Sequence, residues 1–206
     1  MKALELLTPH GAARVHLQLV QDARAALVLG HGAGGGIAAP DLLKATAVAA
    51  EEGLSFVLVE QPYRVAGRRS PPAARQLDTA WTAVVERLRA RELRGIPLVV
   101  GGRSSGARVA CRTAGSTDAA GVLCLAFPLQ PPRRSNQPRS DRLGELDAVT
   151  VPTLVVQGVR DAFGMPPEST FRTVVPVQAD HGLKTDLDAV AAAVRTWLRQ
   201  LGLASG

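Results

Sequence analysis

The sequence predicts an α/β protein, a mostly parallel twisted sheet with helices on both faces. Two observations carry that prediction. Runs of Val, Leu and Ala near residues 25–29, 55–59, 97–101, 121–126, 153–157 and 173–177 are apolar almost without a break, as strands buried on both faces are. Longer stretches with helical spacing lie near 40–52, 76–92, 105–114 and 185–201, so strand and helix alternate along the chain. A length of 206 residues supplies one complete core without disulfide staples, and we expect residues 1–206 to form a single domain.

Taken in order, the first strand, near 14–19, alternates Arg14, His16 and Gln18 with Val15, Leu17 and Leu19, the pattern of a half-exposed antiparallel edge. The strand at 25–29 runs into Gly30-His31-Gly32-Ala33-Gly34-Gly35-Gly36. The strand at 55–59 ends in Glu60, after which Tyr63 and Arg64 close a loop and either rim a cleft or pack beneath it. The strand at 121–126 is followed by the longest irregular segment, 129–150, whose prolines and charges argue against a compact cap, so no lid domain is expected.

The strand at 97–101 enters Gly102-Arg103-Ser104-Ser105-Gly106 and then a helical stretch. A serine between glycines on a tight strand-to-helix turn is a candidate nucleophile elbow, because only small neighbours let the two limbs close around it. Gly-x-Ser-x-Gly alone is a weak pattern, and context decides it. The strand at 153–157 leads to Gly158-Val159-Arg160-Asp161, and the strand at 173–177 to Gln178-Ala179-Asp180-His181. Ser104, Asp161 and His181 therefore follow the chain order Ser, Asp, His expected of an α/β-hydrolase triad. Each also falls just past the carboxyl end of a strand, where open α/β sheets bind ligands.

The glycine loop after 25–29 can turn backbone N–H groups toward one point. With the N–H of Ser105 it forms a candidate oxyanion hole, Ala33 being the first choice for the loop donor and Gly34 the second. Gly30-x-Gly32-x-x-Gly35 also satisfies the dinucleotide fingerprint, with Glu60 where a ribose-binding acid would sit. That rival places Glu60 rather far from the glycines and leaves Ser104, Asp161 and His181 unexplained.

Net charge is +6, and because the only lysines are Lys2, Lys44 and Lys184, arginine supplies nearly all of the basic residues. Two loops concentrate it, 64–75 and 133–142. Aromatics are only 3% of the chain, too few for a nucleic-acid surface with interleaved rings, so the charge reads as solvated loop or as attraction for anionic substrates. Cys111 and Cys124 read as reduced core residues. His10, His16, His31 and His181 form no metal-ligand spacing with them, and neither metal nor organic cofactor is expected. The first residues lack a long apolar run and no stretch approaches membrane-spanning length, which leads us to expect a soluble cytoplasmic protein with no membrane or nucleic-acid partner. Nothing in the sequence indicates an oligomeric state.

The combination of the glycine loop, Gly101-Gly102-Arg103-Ser104-Ser105-Gly106, Phe127-Pro128-Leu129-x-Pro131-Pro132, Gln157-Gly158-x-Arg160-Asp161-x-Phe163-Gly164 and Asp180-His181 resembles the small, lid-less α/β-hydrolase-like family that includes testis-expressed and non-specific-lethal-complex members. The resemblance implies an α/β-hydrolase fold with Ser104, Asp161 and His181 as its triad, and says little about substrate. The chain departs from that family at Gln130, where a His is common, and at Ser105, where a Met is common.

With the triad assembled, His181 takes the Ser104 proton and Asp161 fixes the imidazole tautomer. His31 is expected to brace the glycine loop through ring hydrogen bonds. Arg103 faces either solvent or a substrate carboxylate, and with Tyr63 and Gln130 it completes the candidate substrate-binding set. The expected activity is hydrolysis of small carboxylic esters or thioesters. The alternative is a hydrolase-fold binding or scaffold protein with a vestigial site.

Overall fold

The computed structural model describes residues 1–130 and 141–203. Eight strands form one sheet: β1 (Lys2–Thr8), β2 (Gly11–Gln18), β3 (Ala26–Gly30), β4 (Ser55–Glu60), β5 (Leu98–Arg103), β6 (Gly121–Leu125), β7 (Thr153–Gly158) and β8 (Arg172–Val177). Their order in space is β1-β2-β4-β3-β5-β6-β7-β8. The pairings β1·β2 and β2·β4 are antiparallel, and every pairing from β4 to β8 is parallel.

The unbroken apolar runs have a direct structural cause. Along each central strand alternate residues enter opposite cores, because successive side chains point to opposite faces. Val28, Val57, Val59, Val100, Val122, Cys124 and Val155 pack on one face. Leu27, Leu29, Leu58, Val99, Leu123, Leu125, Leu154 and Val156 pack on the other. The first face is covered by α3 (Ala74–Ala90) and α4 (Ser105–Thr113), through Leu77, Trp81, Val84, Leu88, Val109 and Ala110. The second is covered by α1 (Pro40–Glu51) and α6 (Leu187–Gln200), through Leu42, Ala45, Val48, Val190, Val194 and Trp197. Two short helices, α2 (Pro62–Val65) and α5 (Leu143–Asp147), lie in segments read from sequence as loop.

One expectation is corrected. The strand near 14–19 is not the edge; β2 runs from Gly11 to Gln18 between β4 and β1, and Lys2–Thr8 is the true edge. β1 escapes the sequence reading because its alternation is short. Leu6 points inward but Leu7 is 90% exposed, so no clean period of two builds up. The turn from β1 to β2 is fixed by Gly11 at φ +106° and by the Thr8 hydroxyl, which donates to the Gly11 carbonyl at 2.7 Å.

Much of the arginine is held in ion pairs. Arg108 grips Glu145 with two nitrogens and Arg112 grips Asp78 likewise, tying α5 and α3 to α4. Arg195 and Arg199 close on Glu52 and join α6 to the end of α1. Cys111 and Cys124 are free and buried, and their sulfurs lie 3.5 Å apart across the α4–β6 packing. The contact with Cys111 and burial push the Cys124 thiol up. Among the described residues no helix is long and apolar enough to cross a membrane, and no group of three His, Cys, Asp or Glu could hold a metal ion.

Candidate active site

The ends of β3, β5, β7 and β8 meet at the carboxyl edge of the sheet, and the turn at the end of β5 is closely crowded. A Cβ on Gly102 would lie 2.4 Å from the Gly30 carbonyl oxygen, and one on Gly106 would lie 2.4 Å from the same atom. Only glycine allows backbone to pass backbone at that distance, which is why this turn needs the residue on both sides of the serine. Ser104 itself sits at φ +52°, ψ −109°, a conformation that side-chain-bearing residues rarely adopt. It is pinned there by the Ser104 N–H donating to the Leu125 carbonyl at 2.9 Å, and by the Arg108 N–H donating to the Ser104 carbonyl at 3.2 Å.

The glycine loop after β3 lies against this turn. A Cβ on Gly32 would be 3.5 Å from the Ser104 Cβ, whereas Cβ atoms on Gly34, Gly35 and Gly36 would meet nothing within 4 Å. The loop is braced from beneath. His31 Nε2 accepts the Gln61 N–H at 3.1 Å, so its proton resides on Nδ1, which donates to the Gly32 carbonyl at 2.8 Å. Burial holds the His31 pKa below its ordinary value. Tyr63, on α2, has its hydroxyl 3.0 Å from the Ala33 carbonyl, to which it donates, and its ring packs 5.8 Å from that of His31. At 2% exposure Tyr63 does not rim the cleft; it packs beneath the loop, because its hydroxyl finds its acceptor on the inner side. Glu60, the ribose-binding acid of the rival reading, is taken up by His16 Nε2 at 2.9 Å from its Oε2.

The acid and base arrive from the other side. The His181 Nε2 lies 3.0 Å from the Ser104 Oγ, and the His181 Nδ1 lies 2.8 Å from the Asp161 Oδ2. A carboxylate only accepts, so Nδ1 carries the proton and Nε2 is free to accept from the serine. The Asp161 side chain is fully buried and that of His181 is 24% exposed. Asp161 Oδ1 accepts the Phe163 N–H at 2.9 Å, and Oδ2 also accepts from Gln157 Nε2 at 2.8 Å. The same amide reaches the carbonyls of Gly164 at 2.8 Å and Phe127 at 3.1 Å, locking the acid loop to β6 and β7. The Phe163 ring packs against the imidazole, centroids 4.5 Å apart and planes tilted by 56°.

The candidate substrate-binding residues are placed unevenly. Gln130 donates its backbone N–H to the Phe163 carbonyl at 2.8 Å, and its exposed side chain lies against Gly164, at the rim of the acid loop. Arg103 does not face open solvent. Its Nε forms an ion pair with Asp41 Oδ2 at 3.0 Å and its Nη2 donates to the His181 carbonyl at 2.9 Å, so its charge is already answered within the protein. Arg133 and Arg134, expected to draw anionic substrates, lie outside the described residues, as do Pro131 and Pro132.

Sequence reasoning missed three residues of this arrangement. Gln157 and Phe163 stood in a recognised motif without a role, since a glutamine ending a buried strand gives no sign of which acceptor it will meet. Asp41 reads as an ordinary acidic residue in the first turn after Pro40.

The alpha/beta hydrolase domain family matches residues 23–187. No curated protein matches the chain by sequence. Among solved structures, an α/β serine hydrolase without lid from Xanthomonas campestris superposes with a TM-score of 0.75 at 20% identity, covering 97% of this chain and 94% of that one. A dienelactone hydrolase from Anabaena variabilis gives 0.77 at 18%, covering 97% and 96%. Est1E from Butyrivibrio proteoclasticus gives 0.76 at 14%, covering 97% and 98%. At these identities the likeness is one of fold.

Proposed function

The chain belongs to the alpha/beta hydrolase domain family, and we propose that it is a serine hydrolase that cleaves small carboxylic esters or thioesters within one lid-less domain. The observation that carries this is the linked geometry of Ser104, His181 and Asp161, 3.0 and 2.8 Å apart, on a serine held in strained backbone. A scaffold gains nothing from strain of about 1–3 kcal/mol at one half-buried turn, nor from a fully buried carboxylate aimed at an imidazole. The resemblance of its motifs to the testis-expressed and non-specific-lethal-complex type supports reading it as a small, lid-less member near that type.

His181 Nε2 accepts the Ser104 proton as Oγ attacks the acyl carbon, and Asp161 stabilises the imidazolium that forms. The negative charge on the former carbonyl oxygen is met by the N–H groups of Ser105 and of Ala33, with Gly34 as the second candidate. What supports that pair is the closeness of the loop to the nucleophile at Gly32, where a Cβ would lie 3.5 Å from the Ser104 Cβ. Collapse of the intermediate expels the alcohol or thiol, protonated by His181, and leaves an acyl-enzyme. Water, activated by the same imidazole, then releases the acid.

A fluorophosphonate probe tests the reading. Wild type is expected to label, and Ser104→Ala to lose both labelling and at least about 10⁴-fold in kcat. Labelling that persists in Ser104→Ala, or a wild type that neither labels nor hydrolyses esters, overturns it in favour of the scaffold. With no lid to enclose a long chain, kcat/KM is expected to be higher for acetyl and butyryl than for octanoyl esters.

A further inference from the structure

Arg103, the last residue of β5, touches three separate segments of the site. Its Nη1 lies against the glycine loop, 3.0 Å from where a Gly32 Cβ would be. Its Nε pairs with Asp41 on α1 at 3.0 Å, and its Nη2 donates to the backbone carbonyl of His181 at 2.9 Å. We propose that Arg103, itself anchored by Asp41, is a positioning residue that holds the His181 carbonyl and so sets the imidazole between Ser104 and Asp161. This rests on the reading of those three residues as a triad.

The argument starts from Asp41. Its side chain is entirely buried, and besides the backbone N–H groups of Leu42, 3.0 Å from Oδ1, and of Asp41 itself, it meets the Arg103 guanidinium. Burial pushes its carboxyl up, and the Arg103 charge pulls against that. A buried ion pair is a poor device for stability alone, since well-packed apolar residues join a helix to a sheet at least as well. What an apolar pair cannot do is donate to the carbonyl of the histidine. Arg suits the task because its planar fork can set one nitrogen beside the carboxylate as an ion pair while another donates to the carbonyl; the single ammonium of a lysine is a point charge. The imidazole has little latitude, because a displacement of about 1 Å in a reacting group costs about 10²-fold in rate.

Two variants separate positioning from folding. Arg103→Met with Asp41→Asn removes both charges together and keeps an acceptor for the Leu42 N–H. Arg103→Lys keeps the charge opposite Asp41 but cannot span to the carbonyl. In both, kcat is expected to fall about 10- to 100-fold with KM nearly unchanged, and fluorophosphonate labelling to slow in parallel. The low-field proton resonance of His181 Nδ1–H bonded to Asp161 is expected to shift or broaden. A folded double variant, or Arg103→Lys, with wild-type kcat and an unmoved resonance overturns the proposal. A wild type that does not label defeats the triad reading, and the resonance alone then decides whether Arg103 sets the imidazole.

Discussion

The two sides of the site are built by different means. On the nucleophile side, backbone packs directly on backbone: the Gly30 carbonyl oxygen lies only 2.4 Å from where a Cβ on Gly102 or Gly106 would be, and Ser104 is held at positive φ between limbs that lie that close. On the acid–base side, side chains do the holding. Gln157 serves Asp161 and two carbonyls, Phe163 packs tilted against His181, and Arg103 reaches across to the His181 carbonyl. The first construction tolerates no added atom. The second depends on its donors, except at Gly158, where a Cβ would lie 2.5 Å from the Ala179 and Asp180 carbonyl oxygens.

The largest expected effect lies on the nucleophile side. Gly106→Ala brings a Cβ to 2.4 Å from the Gly30 carbonyl oxygen, so β3 or α4 has to shift, and we expect a loss of about 3 kcal/mol or more in urea unfolding. Gly144→Ala, in open space on α5, serves as the control and is expected to leave stability unchanged or raise it by up to about 1 kcal/mol. Equal stability of the two variants would break the comparison. The next effect belongs to the other side. Gln157→Met fills the same space without a donor, leaving the buried Asp161 carboxylate one hydrogen bond short. Stability is expected to fall by about 1.5–3 kcal/mol, and kcat about 10-fold as Asp161 loses its fixed direction. A variant with wild-type kcat would show that the Phe163 N–H alone suffices to hold the acid.

The same difference explains what the sequence made legible. Backbone crowding leaves a local mark, because the glycines it requires stand beside the serine they serve; Gly102, Ser104 and Gly106 are readable for that reason. The central strands were legible too, their two-sided burial being written as uninterrupted apolar residues. Side-chain holding leaves no such mark. Gln157, Phe163 and Asp41 are common residues in common settings, and their partners lie in other segments that only the folded sheet brings close. Arg103 is the reverse case: solvent and a substrate carboxylate were both open for it beside the nucleophile, and its length carries the guanidinium to Asp41 and the histidine loop. Of the two places left open for Tyr63, a short helix at 62–65 selects the inner one.

One side-chain brace does operate on the nucleophile side, and it gives that side a dependence on pH. His31 joins the glycine loop to the end of β4, accepting through Nε2 and donating through Nδ1, an arrangement available only to the neutral ring. Its pKa is lowered from 6.5 chiefly by burial, against the Gly32 hydrogen bond that raises it, with the Arg64 charge lowering it further. In the unfolded chain the ring takes up a proton as pH falls through its ordinary value, while the folded protein resists until a lower pH. The unfolded state therefore binds more protons in that interval, and stability must fall as pH drops through it. We expect wild type to lose more unfolding free energy than His31→Gln between pH 7.5 and 5.5, measured by urea titration. The remaining histidines are common to both proteins, so the difference isolates His31. Equal losses would mean that His31 accepts its proton in the folded state, and that the loop beside Ser104 is held by packing alone.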